Sequence, residues 1–261
     1  MGMTRQASGI YAFLDELRTA AQDYHALVAL AGNPNTGKST VFNGLTGLNQ
    51  HTGNWPGKTV VLAKGFYRHQ GKRLALVDLP GTYSLLAQSV EEQVARDFIC
   101  FGEPDAVVVV TDATCLERNL NLALQIMEIT SQVIICLNLL DEAKRKQIEI
   151  DREKLQSLLG IPVIPTVARN HDGLDELKTA INRLVFGGET PHPRRVRYDP
   201  DLETALTELS AELEPFQTRV NPRWLALRLL DSDYPLVKKI ISYLNHHRRH
   251  TLKSTPQGVK L

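Results

Sequence analysis

Long apolar runs are missing from this chain of 261 residues. Its strongest stretches, Ala106–Val110 and Val133–Leu137, fall far short of the about 20 residues a spanning helix needs. No segment of it is therefore expected to cross a bilayer. A secretory leader is not expected either, because Arg5, Asp15, Glu16, Arg18 and Asp23 interrupt the first 25 residues. An excess of one charge is also missing. Thirty Lys and Arg against 29 Asp and Glu leave a net charge of +1, so no basic field favours nucleic acid, and none is expected as a partner. Cysteine is scarce: Cys100, Cys115 and Cys136 form no CxxC pair, which argues against a disulfide framework or a zinc site. They are expected to be small apolar core residues in a reducing compartment. His25, His51, His69 and His171 lack the spacing of a metal-ligand set. What remains is ordinary globular composition, 43% hydrophobic and 23% charged, which excludes bulk disorder. The expectation is a soluble cytoplasmic chain of one large or two modest domains.

The apolar pattern divides the chain. Ile10, Phe13, Leu14 and Leu17 fall on one helical face within an N-terminal extension, residues 1–25, whose stripe fits docking on the body or a partner-binding arm. Buried-strand patterns follow at Ala26–Ala31, Arg73–Val77, Ala106–Val110, Val133–Leu137 and Val163–Val167. A helix is expected from about Lys38 and another over Asn119–Thr130. This alternation predicts an α/β domain over 26–187, a mostly parallel sheet with helices on both faces and ligand-binding loops at the carboxyl edge. From Gly188 the character changes. Pro191-His192-Pro193 reads as linker, and strand patterns vanish. Leu202, Leu206, Leu209 and Leu213 make a helical stripe, and Asn221-Pro222 reads as an N-cap with proline at the first helical position. Residues 188–261 are thus expected to be a linker and a small all-helical subdomain of two to four helices.

The chemistry-bearing motif lies between the first strand and the first helix. Gly32-Asn33-Pro34-Asn35-Thr36-Gly37-Lys38-Ser39 satisfies GxxxxGK[ST], with Thr40 following. Its glycines let backbone N–H groups turn inward onto phosphate oxygens, Lys38 reaches the β- and γ-phosphates, and the Ser39 hydroxyl suits Mg²⁺. Asp78-Leu-Pro-Gly81 ends a strand and reads as DxxG: Asp78 holds Mg²⁺ through water, and the Gly81 N–H senses the γ-phosphate. Thr59, between the two, can supply a second Mg²⁺ hydroxyl from a switch loop. Asn138-Leu-Leu-Asp141 follows another strand. Its carboxylate can accept from both guanine N1–H and the exocyclic amine, a pair that adenine lacks. Leu139 stands where lysine is usual in NKxD. Together these define a P-loop NTPase of the Ras-like G-domain type.

The motifs resemble the N-terminal cytosolic G-protein domain of the FeoB ferrous-iron transporters. The resemblance runs from about Ala26 into the helical tail. It rests on the loop through Thr40, on His51-Thr-Gly-Asn-Trp-Pro-Gly57-Lys58-Thr59-Val, and on Asp78-Leu-Pro-Gly-Thr-Tyr-Ser84. It continues in Glu92-Gln-Val-Ala-Arg-Asp97 and Asp112-Ala-Thr-Cys-Leu-Glu-Arg-Asn-Leu120. The tail resembles the family's GDI-like helical subdomain. The resemblance implies a slow, K⁺-stimulated GTPase with Mg²⁺, in which Asn35 ligates K⁺ and carbonyls near Trp55–Lys58 contribute. It implies Asn35, Lys38, Thr59 and Gly81 as catalytic positions, with Gly57 and Lys58 among the nucleotide contacts. It also implies guanine nucleotide as ligand, a membrane-embedded transporter domain C-terminal to this chain, a place at the cytoplasmic face of the bacterial inner membrane, and a possible homo-oligomer.

No glutamine follows DxxG; Thr82 and Tyr83 stand there, so water positioning would fall to backbone groups. In the fifth guanine-binding element, Thr166-Val167-Ala168-Arg169-Asn170, Ala168 stands where serine is common. The lost hydroxyl, worth about 0.5–1.5 kcal/mol as a hydrogen bond, predicts a more mobile loop and weaker nucleotide binding. Trp55 reads as a packing anchor or a switch residue, Glu91 and Glu92 as a solvated helix face, and His246–His250 as a solvated helix end or a juxtamembrane stretch. Two alternatives stay open: a soluble regulatory GTPase with no transporter, and a GTP/GDP docking module that does not hydrolyse.

Overall fold

The computed structural model describes residues 24–47, 50–54, 60–86, 88–188, 190–216, 218–231 and 234–254. Thr59, Gly57, Lys58, Trp55 and the N-terminal stripe lie outside these residues. The chain divides into two compact units, with the boundary between Arg195 and Val196.

The larger unit is built on a seven-stranded sheet of order β2-β3-β4-β1-β5-β6-β7. The strands are β1 (Ala26–Gly32), β2 (Gln50–Asn54), β3 (Val61–His69), β4 (Lys72–Asp78), β5 (Ala106–Asp112), β6 (Val133–Asn138) and β7 (Val163–Pro165). From β4 to β7 the pairings are parallel, while β2, β3 and β4 pair antiparallel. Helices α1 (Lys38–Thr46), α2 (Val90–Phe101), α3 (Leu116–Ile129), α4 (Leu140–Arg145), α5 (Arg152–Leu159) and α6 (Leu174–Phe186) complete this unit. Alternation along β1 explains its uninterrupted burial. Ala26, Val28 and Leu30 meet Val41, Phe42 and Leu45 of α1 and Leu177 and Ile181 of α6 in one core cluster. The opposite face lies under α3, which packs on β1, β5 and β6 and buries Leu122, Ala123, Ile126 and Met127. A strand covered on both sides needs apolar residues at every position.

The two antiparallel edge strands escaped the sequence reading. Lys64 and Gly65 interrupt the apolar alternation of β3, although Lys64 is buried. Gly65 is small for a reason: a Cβ there would lie 2.5 Å from Thr46 Cγ2 on α1. The turn from β3 to β4 is Gln70-Gly71, both at positive φ (47° and 76°), the geometry of a two-residue hairpin. The strand expected over Val163–Val167 stops at Pro165. Val167 instead pairs with Asp172 in an isolated bridge, because the chain turns into a short 3₁₀ segment at Ala168–Asn170.

Local signals set several helix ends. Gly47, left-handed at φ 65°, ends α1 and donates to Asn43 O. Ser89 caps α2 by accepting from Glu92 N at 3.1 Å, and Glu92 Oε2 accepts from Gln88 N at 2.9 Å. Glu92 thus reaches back from the exposed first turn to the residue before the cap, an arrangement related to the capping box. Cys100 and Cys136 are buried as expected, and burial pushes the Cys136 thiol up to about 12. Cys115 contradicts the expectation. It is exposed, because it sits at the solvent-facing start of α3 rather than under the sheet.

The smaller unit holds α7 (Pro200–Leu213), α8 (Pro222–Leu230) and α9 (Tyr234–Ser254), with a 3₁₀ turn at Glu214–Phe216. Asp199 and Asn221 cap α7 and α8, each followed by proline. Leu206, Leu213, Leu225, Ile240 and Tyr243 form its buried interior. Arg223 ties it together. Its guanidinium bonds both Glu203 oxygens at 2.7 and 2.8 Å, donates to Val196 O at 3.2 Å and stacks 5.6 Å from the Tyr198 ring. The backbone of His246–His250 continues α9. Among the described residues no helix is long and apolar enough to cross a membrane.

Candidate nucleotide site

The loops at the carboxyl ends of β1, β4, β5, β6 and β7 converge on one edge of the sheet, where ligands bind in open α/β folds. The loop after β1 is shaped by backbone rather than by side chains. Asn35 (φ 66°) and Gly37 (φ 80°) occupy left-handed conformations, and Val41 N donates to Gly37 O at 2.9 Å as α1 begins. Asparagine tolerates that region; at Gly37 only glycine fits, because a Cβ would lie 2.4 Å from Asn138 Nδ2. Gly32 meets a similar limit, with its absent Cβ 2.5 Å from Val110 O. The buried Thr36 hydroxyl donates to Asn33 O at 3.0 Å and stiffens the loop. Asn33 is itself buried, and among the described residues neither of its amide atoms has a partner. Ser39 and Thr40 are exposed at the first turn of α1.

Lys38 pairs with Asp78, joining the first loop to the end of β4. Burial pushes the Asp78 carboxyl above its ordinary range, and the Lys38 ammonium pulls it partly back. Beyond Asp78, Leu79 N donates to Leu30 O at 2.9 Å and Thr82 N to Gly32 O at 3.2 Å, so the DxxG segment lies against the first loop. Gly81 closes that approach; a Cβ there would touch Pro34 Cα at 3.4 Å. The next residues are held by α3. Gln125 Oε1 accepts from Leu85 N at 2.7 Å and from the Ser84 hydroxyl at 3.3 Å, and Arg118 stacks 4.3 Å from the Tyr83 ring.

Asn138 is the hinge pin of the site. Its Nδ2 donates to Thr36 O at 3.0 Å, while its Oδ1 accepts from Ala168 N at 3.0 Å and from the Thr166 hydroxyl at 3.2 Å. One buried amide thus connects the loop after β1 with the loop after β7. Asp141, at the start of α4, has one oxygen paired with Arg169 and the other, Oδ1, buried with no partner among the described residues. Val167 and Ala168 lie beside it in the loop after β7. The structure therefore brings Gly32–Thr40, Asp78, Gly81, Asn138, Asp141, Val167 and Ala168 to one edge.

Sequence reasoning missed Thr166, Arg169, Gln125 and Arg118. Thr166 and Arg169 stood inside the quoted fifth element without a role, and Thr166 supplies a hydroxyl of the kind expected to be lost at Ala168. The stretch Asp112–Leu120 also has a structural explanation. Asp112 caps the 3₁₀ turn through Thr114 N at 2.7 Å, and the buried Asn119 binds Asp112 N and Cys115 O.

Sheet order, loop placement and helical companion together define a P-loop NTPase of the G-domain class followed in the chain by a separate all-helical unit. The family profile described as ferrous iron transport protein B matches residues 26–181, and that of the FeoB cytosolic helical domain matches 198–255. The chain belongs to the FeoB family. It is 41% identical over 213 residues to the Fe(2+) transporter FeoB of Salmonella typhimurium, covering 79% of this chain and 27% of that protein. This chain thus spans about a quarter of the length of the curated relatives it matches. Among solved structures, it is similar to the cytosolic domain of the T. maritima FeoB iron transporter in a GDP form (36% identity, TM-score 0.74, 87% of this chain and 93% of that one). The same domain in its GMPPNP form is also similar (34% identity, TM-score 0.72, 86% and 98%).

Proposed function

We propose that this chain is a GTP-binding and GTP-hydrolysing switch that regulates ferrous-iron movement through the membrane part of a FeoB transporter at the bacterial inner membrane. The observation that carries the reading is the Asn138 bridge. A single side chain couples a loop shaped for phosphate to the wall where Asp141 offers a buried, open carboxylate oxygen. The GDP and GMPPNP forms of the T. maritima relative support guanine nucleotide as the ligand.

On binding, Lys38 exchanges Asp78 for the β- and γ-phosphates, and the backbone N–H groups of Asn35–Lys38 cradle the phosphate chain. Asp141 accepts from N1–H and the 2-amino group of guanine. The second Nδ2 hydrogen of Asn138 is available to the base edge, and the Arg169 N–H borders the base's carbonyl oxygen. Mg²⁺ fits the donors present: Ser39 offers a hydroxyl and Asp78 a carboxylate, with Thr59 as a further hydroxyl. These are hard oxygen ligands, and Mg²⁺ characteristically takes one or two carboxylates plus phosphate oxygens. K⁺ fits Asn35, whose amide oxygen stands on a tight left-handed turn at the loop's exposed tip. The two cations would offset phosphate charge during transfer. The chain's own part is to hold the phosphates through Lys38 and the loop amides, to sense the γ-phosphate at Gly81, and to position water by backbone groups beyond Thr82.

Hydrolysis releases Gly81 and the following residues from the γ-phosphate. The helical unit, which is similar to the family's GDI-like subdomain, then passes the change toward a membrane domain. Single-turnover phosphate release measured in K⁺ and in Na⁺ tests the enzymatic claim. Faster release in K⁺ is expected, with the difference abolished in Asn35→Ala. Nucleotide binding without phosphate release in either salt would instead identify a docking module.

A further inference from the structure

Asp141 is not an open receptor. Arg169 Nη2 already occupies its Oδ2, while Oδ1 is buried and unpaired. The Arg169 side chain is 55% exposed and that of Asp141 23%, so the pair sits at the surface of the ligand edge rather than in the core. Arg169 follows Ala168, whose N–H is fixed to Asn138, so its backbone is anchored beside the site while its long side chain is half exposed and reaches Asp141 from the solvent side. Guanine asks for both carboxylate oxygens at once, because N1–H and the 2-amino group lie side by side in one plane. The guanidinium therefore competes for half of what the base needs.

We propose that Arg169 is a built-in competitor for guanine, a side chain that occupies the base-reading carboxylate, weakens guanine-nucleotide affinity and speeds nucleotide release. This rests on the reading that Asp141 recognises guanine, and it names a specificity-determining residue for that site. Two consequences separate it from a merely structural role. The competition is electrostatic between partly exposed groups, so it fades as salt rises and the screening length shrinks from about 10 Å at 0.1 M to about 3 Å at 1 M. It also depends on the second oxygen. Inosine nucleotides lack the 2-amino group and ask for only one acceptor, so Arg169 on Oδ2 does not compete with them for a second.

The test is equilibrium titration of GDP, IDP and ADP against the wild-type chain, Arg169→Ala, Arg169→Gln and Arg169→Lys, at low and high salt. The expected result is that Arg169→Ala and Arg169→Gln bind GDP about two- to fivefold tighter at low salt, the reach of an exposed ion pair. IDP affinity should be unchanged, and the gain for GDP should vanish at high salt. Arg169→Lys should fall between, since it keeps the charge without the planar fork. Unchanged or weaker GDP binding in the neutral variants, or equal shifts for GDP and IDP, overturns the proposal. A wild-type chain that binds ADP as well as GDP overturns the underlying reading of Asp141 instead.

Discussion

Replacing Asn138 with alanine tests the architecture of the site most severely. The side chain is 1% exposed and makes three hydrogen bonds: to Thr36 O, from Ala168 N and from the Thr166 hydroxyl. The Thr166 hydroxyl also lies 3.4 Å from Leu137 O, so it has a second acceptor. Ala168 N and Thr36 O have none in the protein among the contacts described. Each orphaned buried group costs about 1–3 kcal/mol, so the variant should lose about 2–6 kcal/mol of stability before any nucleotide is added. The larger unit should then unfold at lower urea, seen by far-UV circular dichroism with an unchanged slope. Affinity for GDP should fall as well, because both loops lose their common anchor. Asn138→Asp sharpens the test. It keeps an acceptor for Ala168 N but sets an oxygen against Thr36 O, so it should spare the loop after β7 and disturb the loop after β1. An Asn138→Ala chain within about 0.5 kcal/mol of wild type, as surface substitutions usually are, would refute the reasoning.

Gly37→Ala should weaken GDP binding about 30-fold or more by calorimetric titration. Its left-handed φ costs about 1–2 kcal/mol for a residue with a Cβ, and the 2.4 Å approach to Asn138 Nδ2 breaks the same bridge. In the helical unit, hydrogen bonds from Arg223 and then from the Tyr198 N–H hold the Glu203 carboxyl below its usual 4.5. A lowered folded pKa means that the stabilisation is fully present above the usual value and is lost as pH falls through the lowered one. Melting curves of wild type and Arg223→Ala should therefore differ at about pH 6 and converge as the pH falls through the lowered carboxyl range and Glu203 takes up its proton.

Much of the parallel half of the sheet was legible because its strands are buried on both faces. Ala26–Gly32, Ala106–Asp112 and Val133–Asn138 are nearly continuous apolar runs, ending in Gly32, Asp112 and Asn138 at the ligand edge. The antiparallel edge was not legible. The buried Lys64 breaks the apolar alternation of β3, and the signal for the hairpin was the unremarked Gln70-Gly71 pair. The phosphate loop could be read from spacing, since glycine positions follow directly from backbone geometry. The Asn138 side chain's simultaneous grip on Thr36 and Ala168 could not, because it joins residues 102 and 30 positions apart along the chain. Arg169 was hidden for a related reason. An arginine in a loop looks like surface charge until the fold brings Asp141 beside it.

The central claim is that one edge of this sheet reads both the phosphates and the guanine of a nucleotide. Equilibrium titration with GDP, ADP and XDP, on wild type and Asp141→Asn, tests it most directly. Asn in place of Asp turns one acceptor into a donor and suits the carbonyl that xanthine carries where guanine has its amine. The account predicts that wild type prefers GDP over ADP by about 10³-fold or more, since a pocket built for paired donors leaves buried groups unsatisfied with adenine. It predicts that Asp141→Asn loses GDP and gains XDP. Equal affinity of wild type for GDP and ADP, or an Asp141→Asn chain that still prefers GDP, would contradict it.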